Sequence, residues 1–275
     1  MESEADPFTV ASRVAFSRRV GQLVSEPSGV SEMVKGKTVR VRTFFLQPKE
    51  SPARAEDVLR DLDVVVDLDN PAFEFTVVEG RNRYIAITSP STMRQGWSLR
   101  RPRRRAFFHP TAIFPKLSRA LVNLSRCREG EVFLDPFAGT GSLAIEASEI
   151  GARVVALDRA WKMTSGSLAN MRKLQQEWLG VVTCDSFLPP VTRVDAIATD
   201  VPYGRASSTQ GKGAGRVVQD ALATGRELLK SGARMVIMHP ENLPAEPGSD
   251  WLFEEEHHLY VHKRLTRSIT VLRRR

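Results

Sequence analysis

The strongest structural signal in the sequence lies at Glu131 to Ser142, which reads Glu-Val-Phe-Leu-Asp-Pro-Phe-Ala-Gly-Thr-Gly-Ser. Val132 to Leu134 is a short apolar run, as expected of a strand buried on both faces of a parallel sheet. Gly139 and Gly141 allow a tight turn and a close approach of the backbone to a ligand. Apolar residues then recur at helical spacing, at Leu143, Ile145, Ala147 and Ile150. Strand, glycine turn and helix start together form the first unit of a nucleotide-binding α/β sheet.

A second unit follows directly along the chain. Arg153 to Leu157 predicts another buried strand, which ends at Asp158. That carboxylate comes about twenty residues after the glycine turn, where an acid binds the ribose hydroxyls of a nucleoside. Further strands are predicted at Val181–Cys184, Ala196–Ala198 and Arg234–Met238, with a closing hairpin at 253–272. Strands that alternate with helices predict an α/β fold, a Rossmann-like seven-stranded sheet with helices on both faces.

Four acidic residues stand where successive predicted strands end. They are Asp135, Asp158, Asp185 and Asp200. In an open α/β sheet the carboxyl ends of the strands line one crevice, and ligands bind there. One such acid is readily explained as a turn residue, but four in series predict a binding site.

Composition limits the classes of function. The chain has 275 residues, 41% of them hydrophobic, and a formal net charge of +8, which favours a polyanionic partner. Its two cysteines, Cys127 and Cys184, imply no disulfide framework, so a cytoplasmic protein with reduced thiols is expected. The sequence shows no apolar run of membrane-spanning length, no signal peptide and no metal-ligand spacing, so neither a membrane nor a metal is expected as partner. It does not indicate an oligomeric state.

The pattern predicts two domains. Residues 8–98 carry a short helix and several strands, including Thr38–Leu46, Phe73–Val78 and Arg83–Thr88, which predicts a small α+β module. Residues 99–110 are predicted to form a basic linker, and residues 111–275 the α/β domain.

The densest run of charge lies in that linker. Its arginines are Arg100, Arg101, Arg103, Arg104 and Arg105. Arginine forks bind phosphate oxygens well, so we predict an RNA-binding cluster, to which Arg205 also contributes. The alternative is a solvated linker.

The glycine turn resembles motif I of the class I S-adenosylmethionine methyltransferases. It departs from the Gly-x-Gly-x-x-Gly pattern that binds a pyrophosphate, and it adds a carboxylate, Asp135, which suits a cationic ligand. The cofactor of that class carries an amino group and a sulfonium. A dinucleotide-binding enzyme and an α/β domain without ligand are the alternatives.

Asp200-Val201-Pro202-Tyr203 resembles the (Asp/Asn)-Pro-Pro-(Tyr/Phe) motif of methyltransferases that act on planar exocyclic amines. The lone pair of such an amine is delocalised into the ring. A carboxylate and a backbone carbonyl that accept its two N–H bonds concentrate charge on the nitrogen. The aromatic ring of Tyr203 is suited to stack on an extruded base. Val201 replaces the first proline of the motif and still offers the carbonyl.

Longer segments resemble the archaeal-type tRNA guanine-N2 methyltransferases. These are Phe107–Pro110, Lys116–Leu124, Leu134–Ser142, Asp195–Ile197, Asp200–Arg205 and Val261–Arg267. The resemblance implies a class I domain behind an N-terminal THUMP RNA-binding module, and methylation of the N2 amine of guanine 10 in tRNA. The N-terminal region is similar only to the later part of that module, at Ser12–Gly21 and Val66–Pro71.

The resemblance also implies roles for individual residues. Asp200, Val201, Pro202 and Tyr203 would hold the target base. S-Adenosylmethionine would contact His109, Pro110, Asp135, Pro136, Phe137, Ala138, Gly139, Thr140, Gly141, Asp158, Arg159, Asp185, Ser186 and Asp200. Amine methylation of ribosomal RNA or DNA bases, and a non-catalytic RNA-binding protein with a vestigial fold, remain alternatives.

Overall fold

The structure is a computed structural model, and it describes residues 15, 21–46, 55–88, 96–202, 214–242, 245–263 and 265–275. It divides the chain into two compact units, Met1–Gln95 and Gly96–Arg275. The residues predicted as a linker, 99–110, belong to the second unit.

The first unit is a mixed five-stranded sheet with short helices. Its strands are β1 (Gln22–Val24), β2 (Lys37–Phe45), β3 (Val64–Val66), β4 (Phe73–Glu79) and β5 (Arg83–Thr88), in the spatial order β1-β5-β4-β2-β3. Helices α1 (Ser31–Val34) and α2 (Ala55–Leu59) contribute Val34 and Val58 to a core built on Val39, Phe75 and Val77. The likeness of this unit to a THUMP module stays a prediction. Of the segment Ser12–Gly21, only Ala15 and Gly21 lie within the described residues.

The second unit contains the predicted seven-stranded sheet. Its strands are β6 (Val132–Asp135), β7 (Arg153–Asp158), β8 (Gly180–Thr183), β9 (Val194–Asp200), β10 (Leu229–Pro240), β11 (Trp251–His262) and β12 (Leu265–Arg274). The spatial order is β11-β12-β10-β9-β6-β7-β8. Strands β6 to β10 are parallel, and β12 and β11 form the closing antiparallel hairpin. The Rossmann-like fold predicted from the sequence is confirmed.

Helices cover both faces of this sheet. They are α3 (Pro115–Leu124), α4 (Ser142–Ser148), α5 (Trp161–Lys173) and α6 (Ala214–Leu228). Because successive side chains of a strand point to opposite faces, Phe133 and Leu134 of β6 belong to two different cores. Leu121 of α3 and Met171 of α5 pack on the Phe133 side, and Leu222 of α6 packs on the Leu134 side.

The strand order places the ends of β6 and β9 side by side. The chain runs outward from β6 through β7 to β8, then crosses back to add β9 on the other flank of β6. A reversal of this kind opens a crevice at the carboxyl ends of the strands. Asp135 and Asp200 are the last residues of β6 and β9, so the fold brings these two acids to the crevice.

A buried ion cluster fixes the segment before α3 to the domain. Glu146 is fully buried, and its carboxylate pairs with Arg100 at 2.7 Å and with Arg119 at 3.0 Å. Arg100 also reaches Glu149 at 2.8 Å. The guanidinium groups of Arg100 and Arg119 both lie against the ring of Trp97, at 4.9 and 5.5 Å from its centre.

Burial corrects part of the predicted RNA-binding cluster. Arg100 and Arg105 are each only 5% exposed. Arg105 donates to Ser142 Oγ at 2.7 Å and to the Arg100 carbonyl at 2.9 Å, and burial lowers its pKa to about 10. Both guanidinium groups are satisfied inside the domain, so the prediction that these two residues bind RNA is wrong. The exposed residues of the run are Arg101, Arg103 and Arg104, for which RNA binding stays a prediction.

Replacing Glu146 should destabilise the protein strongly. Glu146→Ala leaves two buried guanidinium groups without their shared carboxylate, and breaking a buried pair in this way costs about 3–5 kcal/mol. Urea-induced unfolding of the full chain measures the change. Glu227→Ala removes a carboxylate that is 70% exposed and should change the free energy of unfolding by less than about 0.5 kcal/mol. Equal, small effects of both substitutions would contradict a stabilising cluster.

Candidate functional site

The glycine turn after β6 shapes one wall of the crevice. Gly139 and Gly141 both have left-handed backbone angles, with φ of +53° and +79°. A side chain at Gly141 would collide with Ser167, so this glycine permits close packing of α4 against α5. At Gly139 a Cβ would meet no atom within 4 Å, so its exposed side is open for a ligand.

Asp158, at the end of β7, ties the second strand to this turn. Its Oδ2 accepts the Gly139 amide at 2.9 Å, and its Oδ1 accepts the Ala160 amide at 2.9 Å. Each carboxylate oxygen can accept a further hydrogen bond, so Asp158 is able to bind ligand hydroxyls while it holds the turn.

Asp135 is the most deeply buried of the four acids. It is 1% exposed, and its Oδ1 accepts hydrogen bonds from Thr199 Oγ1 at 2.8 Å and from the Phe137 amide at 3.2 Å. Burial raises the pKa of Asp135 to about 7, although both hydrogen bonds oppose the rise. An arriving cation would favour the ionised form of this carboxyl.

The segment after β8 forms the wall beyond Asp158. Asp185 is exposed and accepts the Phe187 amide at 3.1 Å. Ser186 is buried and donates to the carbonyl of Pro136 in the glycine turn. The rings of Phe137 and Phe187 meet edge to face with their centres 5.9 Å apart, so an aromatic pair links the two loops.

Asp200 faces the crevice from the other side, at the end of β9. Its Oδ2 accepts a hydrogen bond from Arg267 at 3.1 Å. Its Oδ1 is buried and has no hydrogen-bond partner among the described residues. Burial raises the pKa of Asp200 to about 6, and the charge and hydrogen bond of Arg267 oppose the rise. After Asp200, Val201 is buried and Pro202 is half-buried.

These residues enclose a pocket of about 490 Å³, within the range of small-molecule sites. Of the residues predicted for cofactor or base, the pocket is lined by His109, Asp135, Phe137, Ala138, Gly139, Thr140, Asp158, Arg159, Asp185, Ser186, Asp200, Val201 and Pro202. Pro110, Pro136 and Gly141 do not line it; Pro136 and Gly141 shape the turn. Tyr203 and Arg205 lie outside the described residues.

The comparisons with known proteins agree with this geometry. Residues 102–247 match the family model described as "RMKL-like, methyltransferase domain". The tRNA (guanine(10)-N2)-dimethyltransferase of Methanocaldococcus jannaschii is 34% identical over 219 residues, which cover 76% of this chain. A probable tRNA (guanine(10)-N2)-dimethyltransferase of Methanothermococcus thermolithotrophicus is 32% identical over 58% of this chain and 98% of its own length. The chain belongs to the archaeal-type tRNA guanine-N2 methyltransferase family.

Two further facts qualify the similarity to this family. The chain spans 57% of the Methanocaldococcus relative and 66% of a second one, from Methanothermobacter thermautotrophicus. Among solved structures, TrmN from Thermus thermophilus matches 98% of this chain and 79% of its own with a TM-score of 0.54 and 20% identity. That likeness concerns the fold alone.

Sequence reasoning missed several residues of the pocket. The most important of them is Arg267. It is the last residue of the segment Val261–Arg267, in which the sequence resembles the family, but it was not among the predicted site residues. Its signal was a charged residue just before the last predicted strand, and the sequence alone does not bring that strand near Asp200. The apolar lining was also missed, namely Ile113, Leu143, Met163, Phe187 and Val217. Nothing in their spacing separates them from ordinary core residues.

Two features are absent from the part of the chain that the structure describes. No helix of the described residues is both long and apolar enough to cross a membrane. No group of three or more histidine, cysteine, aspartate or glutamate side chains in that part of the chain is arranged to hold a metal ion.

Proposed function

We propose that this protein transfers a methyl group from S-adenosylmethionine to the exocyclic N2 amine of a guanine in RNA. The observation that carries the proposal is the buried Asp200 Oδ1, which has no partner among the described residues and belongs to a pocket whose other half suits a nucleoside. The names of the family relatives favour tRNA as the substrate and a guanine at position 10 as the target.

The half of the pocket near β6 and β7 suits the cofactor. Asp158 would hold the ribose, and Asp185 the adenine amine beside the aromatic pair of Phe137 and Phe187. Asp135 and the open side of Gly139 would hold the methionine part, whose amino group supplies the cation that a buried carboxylate needs. S-Adenosylmethionine supplies an electrophilic methyl group on a sulfonium.

The half near β9 suits the target base. Asp200 Oδ1 would accept one N–H of the amine, and the carbonyl of Val201 the other, which aims the nitrogen lone pair at the electrophile. The nitrogen gains a methyl group and loses a proton, and the Asp200 carboxylate is placed to take that proton. A pKa of about 6 keeps this carboxylate mainly ionised at neutral pH. Stacking of the base on Tyr203 remains a prediction.

Exposed arginines in the segment before α3 support an RNA substrate. Arg101, Arg103 and Arg104 are exposed and flank Arg105, which donates to Ser142 at the start of α4. Arg103 lies over the ring of Phe108 at 5.5 Å, and Lys173 donates to the Arg104 carbonyl at 2.8 Å, which adds another cation. A net charge of +8 fits the same partner, and a cytoplasmic location is proposed with it.

Substitutions of Asp200 and Asp158 should separate chemistry from cofactor binding. Asp200→Ala should lower methyl transfer about a hundredfold or more, the cost of losing one preorganised polar contact at a reacting centre. The affinity for S-adenosylhomocysteine should stay within about threefold, because Asp135, Asp158 and Asp185 are proposed to hold its polar groups. Asp158→Ala should instead weaken that affinity by about 2 kcal/mol, the scale of hydrogen bonds to a charged group.

Calorimetry and single-turnover transfer to tRNA measure the two effects. Near wild-type turnover in the Asp200→Ala protein would mean that the base is held elsewhere and would contradict the proposed function. Unchanged affinity in a folded Asp158→Ala protein would remove the cofactor assignment.

The three exposed arginines should act on RNA and leave the cofactor alone. Replacing Arg101, Arg103 and Arg104 with serine should make the slope of log tRNA affinity against log salt concentration less steep by about two to three. The change is roughly 0.9 for each phosphate that is no longer neutralised. The matched control replaces Arg128, Arg153 and Arg193, which are exposed at the opposite edge of the sheet, where β6, β7 and β9 begin. If both triple variants gave the same slope of log tRNA affinity against log salt concentration, the three arginines of the segment before α3 would be solvated surface residues without an RNA contact.

A further inference from the structure

Arg267 reaches the crevice across an intervening strand. It lies near the start of β12 and pairs in the sheet with Pro240 of β10. Strand β10 separates β12 from β9, so the Arg267 side chain passes Met238, whose sulfur lies 3.8 Å from Nη1, to reach Asp200 Oδ2 at 3.1 Å. Arg267 also lines the pocket. The ion pair therefore joins the closing hairpin to the proposed base site.

The pair engages only one side of the carboxylate. Arg267 binds Oδ2, whereas the buried Oδ1 has no hydrogen-bond partner among the described residues. A buried carboxylate oxygen without a partner is costly, which points to a ligand donor that completes the set. Fixing Oδ2 also fixes the rotation of the carboxylate, and with it the direction in which Oδ1 accepts.

We propose that Arg267 is a positioning residue for methyl transfer, which holds Asp200 by Oδ2 and leaves Oδ1 free to accept from the target amine. This role rests on the proposed function of Asp200. Arg267 acts through the carboxylate and takes no part in the transfer itself. Among the described residues, it is the positive charge that favours the ionised form of a carboxyl that must be ionised in order to accept two hydrogen bonds.

The electrostatics of the site support this role. Burial alone favours the protonated form of Asp200, and Arg267 opposes it through its charge and its hydrogen bond. Without the guanidinium group, the pKa of Asp200 should therefore rise above about 6. As the pH is lowered, Asp200 would then become protonated at a higher pH than in the wild-type protein. Activity would be lost at that higher pH as well.

Other charged groups lie in or around the same pocket and must be kept apart from Asp200 in any titration. Those that line it are Asp135 at the end of β6, Asp158 and Arg159 at the end of β7, Asp185 after β8 and His109 before α3. Two more lie beside lining residues: Arg216 precedes Val217 on α6, and His239 of β10 pairs in the sheet with Ser268, the residue after Arg267. Asp135 matters most, because burial, with smaller contributions from the charges of Asp158 and Asp200, raises its pKa to about 7.

The test compares Arg267→Gln with Arg267→Lys and with a matched control, Arg273→Gln. Arg273 lies on the same strand and also pairs with a carboxylate, Glu254 at 2.9 Å, but it does not line the pocket. The pH dependence of single-turnover methyl transfer to tRNA is measured for each protein. In Arg267→Gln the acidic limb should move up by about one pH unit or more, so that activity recovers in part at high pH. Arg267→Lys, which keeps the charge, should restore most of the wild-type limb, and Arg273→Gln should leave it unchanged.

A direct titration separates this inference from the proposed function. Carbon-13 NMR of protein labelled at the aspartate carboxyls gives the pKa of Asp200 without any assay, once its signal is assigned by its loss in Asp200→Asn. A pKa that is higher in Arg267→Gln than in wild type is the expected result. An unchanged pKa, or a loss of activity that is equal at every pH, would overturn the role of Arg267 alone. Failure of the wild-type protein to methylate any nucleic acid would overturn the proposed function as well.

Discussion

The parallel alignment of β6, β7, β8 and β9 is the constraint on which the whole crevice depends. It forces four acids to the same edge of the sheet, where their charges repel one another. The four acids are stabilised in three ways: Asp158 and Asp185 accept backbone amides, Asp135 accepts a threonine hydroxyl and an amide, and Asp200 is paired with an arginine. The crevice is thus a strongly acidic site that suits a cationic nucleoside ligand and an amine donor.

Differences between these environments divide the pocket into two halves. Asp158 is half-exposed and holds the glycine turn, whereas Asp200 is 18% exposed and keeps one buried oxygen without a partner among the described residues. The first arrangement suits binding of hydroxyls, and the second suits a reacting amine. The strand reversal between β6 and β9 sets the halves side by side, as transfer between two ligands requires.

Local patterns predicted the fold and much of the pocket. Apolar runs such as Val132–Leu134, each followed by a turn signal, predicted buried strands. Strands β6, β7 and β9 end at the acids that the sequence marks, whereas β8 ends two residues before Asp185. The arginine run shows the limit of this reasoning. Charge density does not distinguish a solvated arginine from one that is paired inside a domain, and the partner of Arg100 lies 46 residues away at Glu146. Arg267 and Asp200, 67 residues apart, meet only because β12 adds to the sheet beside β10.

In the proposed function, the acid at the end of β9 directs methyl transfer to a guanine N2 amine in tRNA. The most direct test incubates the full chain with methyl-labelled S-adenosylmethionine and, separately, total tRNA, ribosomal RNA or DNA, and then digests each nucleic acid to nucleosides. We expect label in N2-methylated guanosine from the tRNA sample. Label confined to another nucleoside, or no transfer to any of the three, would contradict it.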